Sequence, residues 1–428
     1  MFGAKLKDWR QRRGVPLRQF ATRVGYSFGQ ISKVEQGTRR ANRDFAERCD
    51  AALNAGGALI EAWIVSAGLV RPSQLPPAPA RLEGRLRQLN ELDAAVTGRA
   101  PGAPAVVVID GPAGAGKTAL ALYRAHRATD QFIDGQLYAD LQGFAPRTQP
   151  PATPDTVLTW FCLALRAPNI PETLQQKTAL FRSLLHVRRV LIVLDNAASA
   201  EQVEPILPAA EGCAVIITSR RVLSRLAMHY DARRVTVGPL AEADSICLLR
   251  YLIGHERADA EPEAVRKLAE LCGNLPLALR IAADLVGRHP HRQIADLAAE
   301  LDDQDARLDN LETDDDRTPR AVLSWSYQVL PELAARVFRF LGLHDGPTIS
   351  IHAAATLTGE PVLAPRQAIR QLASLHLAEM VSSETITMHE LVRDYARVLA
   401  REHLTEEERQ TAVQRIAEWY ERTSREAG

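Results

Sequence analysis

"VVVIDGPAGAGKTALAL", residues 106–122, decides the fold of this chain. An apolar, β-branched run ends on Asp110, a glycine-rich turn follows, and a helical pattern opens at Lys117. The spacing Gly111-x-x-x-x-Gly116-Lys117-Thr118 is a phosphate cradle in the context that gives the motif meaning, with a strand before it and a helix after. Gly111, Gly114 and Gly116 let successive backbone N–H groups close around an anion. The helix that starts with Lys117, Thr118 and Ala119 adds its positive end. In such a cradle Lys117 reaches the outer phosphates and Thr118 offers its hydroxyl to Mg²⁺.

Downstream, "VLIVLDNAASAEQ" (190–202) delivers a second carboxylate, Asp195, to the tip of an apolar strand. Strands often end on Asp for turn reasons; paired with the cradle, Asp195 becomes the second magnesium anchor. The next residue is Asn196, where many nucleotide hydrolases place a second acid. An amide orients a water or a neighbouring group but takes no proton at neutral pH. Around these stretches, from 105 to 239, apolar runs alternate with helical patterns ("GQLYADL", "AVIITS", "RRVTV"). Continuous apolar strands predict a parallel sheet covered on both faces.

The 428 residues exceed one core and predict about two to four domains. Composition is that of a globular protein, 46% hydrophobic and formally neutral. No run reaches the roughly 18 apolar residues of a membrane helix, and the charged N-terminus is no signal peptide. Five scattered cysteines without a C-x-x-C pair argue against a disulfide framework or a zinc site and for the cytoplasm. "RPSQLPPAPA" (71–80) reads as a semi-rigid linker. From 241 the pattern is helical as far as the acidic stretch at 302–316, and "EMVSSETITMHELV" reads as a small hairpin leading into a helix.

Charge is uneven. Residues 1–70 hold twelve basic and six acidic side chains, which suggests a polyanion partner for this head. "PLRQFATRVGYSFGQISKVEQGTRR" (16–40) has the layout of a helix-turn-helix: Phe20, Ala21 and Val24 inward, Gly25 in the turn, Ser27 as cap, Ile31 and Val34 inward. Phe28, Gln30, Ser32 and Lys33 then face outward at the end that enters a major groove, with Arg18, Arg39, Arg40 and Arg43 placed to meet phosphates. The ending "ISKVEQGTRR" resembles the Xre/Cro family of DNA-binding domains. One such unit reads a half-site, which implies self-association on double-stranded DNA.

The remainder resembles the NB-ARC branch of the STAND nucleotide switches, in the form found in actinobacterial regulators. The resemblance rests on the cradle, "GQLYADLQG", "VLIVLDNAASAEQV", "IITSR", "VGPLAEADSICLL", "CGNLPLALRIAA", "LSWSYQVL" and "MHELVRDYA". It implies ATP or ADP with Mg²⁺. Arg220 is then a sensor of the terminal phosphate, Pro276 packs on the adenine, and His389 bonds the β-phosphate of ADP. Gly84 and Arg85, in "LEGRLRQL", match the segment that borders the adenine, although the acid expected next is missing. Glu390 stands where Asp is usual, and the long repeat sensor of many relatives is not found.

The expected architecture is multidomain. An all-α helix-turn-helix head (1–68) and a proline-rich linker (69–82) precede an α/β P-loop NTPase with a parallel sheet (83–239). A helical bundle (240–317), a winged-helix domain (318–400) and a C-terminal helix (401–428) follow. The expected function is a transcription regulator whose ADP-closed and ATP-open, oligomeric states control the head. It would be at most a slow ATPase, with Asp195, Lys117 and Arg220 acting on the phosphates and an unknown signal protein or ligand as trigger. A mechanically working loader ATPase and a STAND defence sensor are the alternatives.

Overall fold

The computed structural model describes residues 2–66, 71–97, 102–145, 150–289, 291–304, 306–312 and 318–427. Positions 69–70 of the expected linker, and 305 and 313–316 of the acidic stretch, lie outside them.

The head consists of α1 (Phe2–Arg12), α2 (Leu17–Val24), α3 (Phe28–Glu35), α4 (Arg43–Leu53) and α5 (Ala58–Ser66). α2 ends on Gly25 at φ +73°, a left-handed turn that glycine adopts without strain. α3 starts in a reciprocal capping box between Ser27 and Gln30. Phe20, Ala21, Val24, Ile31 and Val34 are buried as their spacing predicts, and they pack with Phe45, Cys49 and Leu59. This core is separate from the others.

Five strands form one parallel sheet: β1 (Ala105–Asp110), β2 (Gln136–Asp140), β3 (Leu191–Ala197), β4 (Ala214–Ser219) and β5 (Arg233–Thr236). Their order is β2-β3-β4-β1-β5. Every residue of β1 and β4 is buried. Alternate residues serve opposite faces: Val107, Ile109 and Val193 join one core, while Val106, Val108 and Ile192 join the other. Edge strand β5 departs from the expected continuous burial. Only its Val235 is buried, because one side of β5 has no neighbouring strand.

The first of these cores runs on without a break into the helices that follow the sheet, including Pro262–Leu271 and Pro276–Arg288. It continues into a unit built from helices Glu332–Leu341, Ile351–Thr358 and Leu363–Ser374 and a three-stranded antiparallel sheet. That small sheet consists of β6 (Thr348–Ser350), β7 (Glu379–Met380) and β8 (Thr385–Thr387), in the order β6-β8-β7. Helix Glu390–His403 runs through position 400, and helix Glu406–Ala427 packs back on Ile351–Thr358, with Arg415 donating to the Leu357 carbonyl at 3.0 Å.

The linker is more ordered than its composition suggests. Ser73 pairs with Gln136 on the free edge of β2. The Gln136 N–H donates to the Pro72 carbonyl at 2.7 Å, and the Gln74 N–H donates to the Gln136 carbonyl at 3.1 Å. Proline content forecasts stiffness; it does not reveal that a sheet edge lies within reach.

Candidate functional site

In an open parallel sheet, ligands bind at the carboxyl ends of the strands. Three neighbouring tips converge here: the cradle after β1, Asp195 near the end of β3, and Thr218 to Arg220 at the end of β4. Gly111 lies at φ +147°, where an added Cβ would sit 2.0 Å from the Val237 carbonyl oxygen. Gly114 and Gly116 also have positive φ. Helix Lys117–Arg127 starts directly on Gly116.

Lys117 is buried, its Nζ donating to the carbonyls of Gly111 at 2.9 Å and Pro112 at 2.8 Å. Burial, aided by the Arg220 charge, pushes its ammonium down to about 7, while Asp195 and Asp110 pull the other way. The Thr118 hydroxyl donates to Asp195 Oδ1 at 2.8 Å. Thr218 donates to the same oxygen, and the Tyr138 hydroxyl donates to Oδ2 at 3.2 Å. The buried carboxylate is thus steered by three hydroxyls. Two of them, on Tyr138 and Thr218, had no assigned role, although they stand at strand tips within the quoted motifs.

Asn196 accounts for itself by conformation. It sits at φ +58°, in the left-handed region that Asn tolerates better than most residues, at the irregularity between β3 and β4. Its N–H donates to the Thr218 hydroxyl at 2.9 Å, and its side-chain amide donates to the Phe144 carbonyl at 3.0 Å. Of the two uses open to an amide here, it performs the second, orienting a neighbouring group.

The three tips open on a cleft of about 880 Å³, inside the ~300–1,000 Å³ range usual for ligand sites. Ala113 to Ala119, Asp195 and Arg220 form its floor. Pro276 and Leu277 form one wall, with the Leu277 N–H donating to the Gly114 carbonyl at 3.2 Å. The linker from Pro76 to Arg85 forms the other. Arg85 donates to the carbonyls of Ala115 (3.0 Å) and Gly238 (2.7 Å), tying that wall to the cradle. Gly84, at φ +62°, leaves room for the Asp244 carboxylate.

Arg220 is buried, and burial lowers its guanidinium to about 10. It lies over the rings of Phe144 (5.2 Å) and Trp325 (5.5 Å). It donates to the Val322 carbonyl and, at 3.0 Å, to the Ser326 hydroxyl, so it joins β4 to helix Pro319–Tyr327. His389 departs from its expected place. It does not line the cleft, and both its ring nitrogens are spent within the protein. Nε2 lies 2.7 Å from the Gly273 carbonyl, and Nδ1 accepts the Leu391 N–H at 3.3 Å. Burial lowers its pKa, while the Gly273 bond and the Glu390 charge pull the other way.

On the head, Arg18, Ser27, Phe28, Lys33, Arg39 and Arg40 are exposed, and Gln30 and Ser32 are half-buried. Two side chains are less available than expected. Gln30 Oε1 caps Ser27, and the Ser32 hydroxyl accepts from Gln36 at 3.2 Å. Arg43, expected on a DNA phosphate, is engaged elsewhere: it donates to Glu47 at 2.8 Å on its own helix, to Asp134 at 2.5 Å and to the Val187 carbonyl at 2.7 Å. The competing acid lies far away in sequence, which composition alone could not reveal. Among the described residues no helix is long and apolar enough to cross a membrane, and no three His, Cys, Asp or Glu side chains converge as a metal cage.

Fold and cleft together define a helix-turn-helix protein built on a P-loop NTPase-like α/β core. Residues 1–63 match a helix-turn-helix domain family. The chain is 38% identical over 362 residues to the regulatory protein AfsR of Streptomyces coelicolor, an alignment covering 82% of this chain and 36% of that protein. AfsR of Streptomyces griseus is likewise 38% identical over 354 residues, with 82% and 36% covered. The chain therefore spans about a third of the length of the curated relatives it matches. The Walker-type ATPase PABY2304 of Pyrococcus abyssi superposes with a TM-score of 0.50 at 13% identity, over 76% of this chain and 99% of that one.

Proposed function

We propose that this chain is a nucleotide-switched, DNA-binding transcriptional regulator, in which ATP or ADP with Mg²⁺ sets how the helix-turn-helix head is presented. The observation that carries the reading is the 2.8 Å bond between Thr118 and Asp195, at the mouth of a phosphate cradle in a chain that also holds a helix-turn-helix. Likeness to regulatory proteins over 82% of the chain supports the regulatory half.

The residues fit a magnesium–nucleotide complex. Thr118 and Asp195 are hard oxygen donors, and Mg²⁺ at such sites takes few protein ligands beside phosphate and water. When bound, Mg²⁺ would supply charge neutralisation to the phosphates. Lys117 would exchange two carbonyl partners for phosphate oxygens, a charge-assisted and stronger bond. Arg220 stands at the phosphate end beside Asp195 and reports to helix Pro319–Tyr327. Pro276, Leu277 and Leu82 offer an apolar slot for the base, with Arg85 holding the linker wall. His389 acts one step away, pinning Gly273 and with it the segment that leads into Pro276.

Slow hydrolysis follows from what lies beside Asp195. The Asn196 amide serves the Phe144 carbonyl and takes no proton at neutral pH. A positioned general base is what fast turnover requires. The nucleotide then acts as a latch: differential contact in two states shifts their populations, and assembly in the open state supplies paired half-sites and avidity.

The test is sedimentation and duplex-DNA binding of the chain loaded with ADP or with a slowly hydrolysed ATP analogue. The ATP-like form assembles and binds DNA more tightly, with affinity falling steeply as salt rises. Identical assembly and affinity in both forms would sink the switch.

A further inference from the structure

Arg43 ties the head to the nucleotide domain through an acid that stands where a phosphate would. It belongs to the run Arg39-Arg40-Ala41-Asn42-Arg43 that follows α3. Arg39 and Arg40 are exposed, whereas the Arg43 guanidinium is bound by Asp134 and the Val187 carbonyl across the junction and by Glu47 at 2.8 Å on its own helix. Asp134 is 5% exposed and also accepts the Arg189 N–H at 2.6 Å, so the carboxylate is held in place before Arg43 arrives.

Arg188 is buried beside the junction, with Asp134 the carboxylate that steadies its charge against burial. Arg43 Nη2 and Arg188 Nη1 are both buried without a hydrogen-bond partner. Arg43 and Arg188 thus share Asp134, with Glu47 a further carboxylate for Arg43, and each keeps a buried donor without an acceptor, which favours release. The contact holds the head but is not built to hold it permanently.

We propose that Asp134 is an internal phosphate mimic. In this arrangement it keeps Arg43 off the DNA backbone, so that duplex DNA and the nucleotide domain compete for one guanidinium. The proposal rests on the DNA-binding reading given above. It also has a route to the cleft. Asp134 precedes Gly135, which lies at φ +122° with Pro72 packed where a Cβ would stand. The strand-like linker that starts at Pro72 continues as the Pro76–Arg85 wall of the cleft. Movement of that wall bears on the edge that presents Asp134.

The experiment is fluorescence anisotropy of the full chain with a random-sequence duplex at low salt. Asp134→Asn keeps an acceptor for the Arg189 N–H and removes the charge that holds Arg43 across the junction, leaving its Glu47 pair within the head. It should tighten DNA binding by about fivefold or more, the scale of an allosteric coupling. Arg43→Ala should change little in the native background and erase the gain in the Asp134→Asn background. Binding unaltered by Asp134→Asn, while Arg39→Ala weakens it, would overturn the mimic alone. Absence of DNA binding by every variant would overturn the mimic together with the DNA-binding reading. Should Asp134→Asn fail to fold, amide exchange at Arg189 in the native chain decides: duplex DNA should speed it, and unchanged exchange overturns the proposal.

Discussion

The nucleotide cleft and the helix-turn-helix head are built on opposite terms. In the cleft Lys117, Asp195 and Arg220 are buried, and the functional side chains are already bonded to one another, as in the Thr118–Asp195–Tyr138 and Arg220–Ser326 contacts. Its core continues through the later helices into the small-sheet unit. The head has its own core, its outward cations Lys33, Arg39 and Arg40 are exposed, and Arg43 bonds Glu47 within the head and Asp134 and Val187 of the α/β domain. A site embedded in a shared core is suited to sensing the arrangement of domains; a self-contained head is suited to being delivered.

Variants should separate the two regions. The largest effect is expected from Lys117→Ala. Loss of a charge-assisted bond to phosphate, worth roughly 1.5–3 kcal/mol, should weaken nucleotide retention about 10- to 100-fold. Titration calorimetry reads this, and DNA binding by the head should persist at low salt. Next is Gly273→Ala, because an added Cβ would lie 2.1 Å from the His389 ring at a residue with φ +57°. Backbone strain of that kind costs about 1–3 kcal/mol. It should lower the thermal midpoint, loosen ADP and raise self-association; an unchanged monomer with unchanged ADP affinity would remove His389 and Gly273 from the latch.

A pH dependence is expected in the cleft. Lys117 titrates near 7 when its partners are carbonyls, and a phosphate partner raises that value. Binding therefore selects the protonated lysine. Affinity should be flat below about pH 7 and fall as pH rises above it, by up to about tenfold per unit, with proton uptake detectable by calorimetry in buffers of different ionisation enthalpy. An affinity flat from pH 6 to 9 would contradict the buried, strained lysine. The smallest effect is expected at the head: Gln30→Ala with Lys33→Ala should cost about 1–3 kcal/mol of sequence discrimination at the bases read. Retained sequence preference would show that α3 does not read the groove through them.

Legibility followed the range of the interaction. The cradle, Asp195 and the α2–turn–α3 signals are local in sequence, and the chain folds there as the spacing requires. Asp195's partners Tyr138 and Thr218 stand at the tips of neighbouring strands, within quoted motifs whose chemistry waits on strand order. The linker wall, the Arg43–Asp134 contact and the Gly273 bond of His389 were not legible. Each joins segments tens to more than a hundred residues apart through a surface that only the folded chain creates. Asn196 shows the same limit at short range: its type was informative, but its φ of +58° decides that the amide serves the backbone.

The central claim is that the cleft keeps its nucleotide instead of spending it. Nucleotide content of the purified chain, measured together with multiple-turnover ATP hydrolysis, tests it directly. The account predicts near-stoichiometric ADP that survives gel filtration, and turnover far below the roughly 10 s⁻¹ of a typical enzyme. An empty cleft after purification, with sustained turnover at enzymatic rates in the absence of DNA, would contradict it.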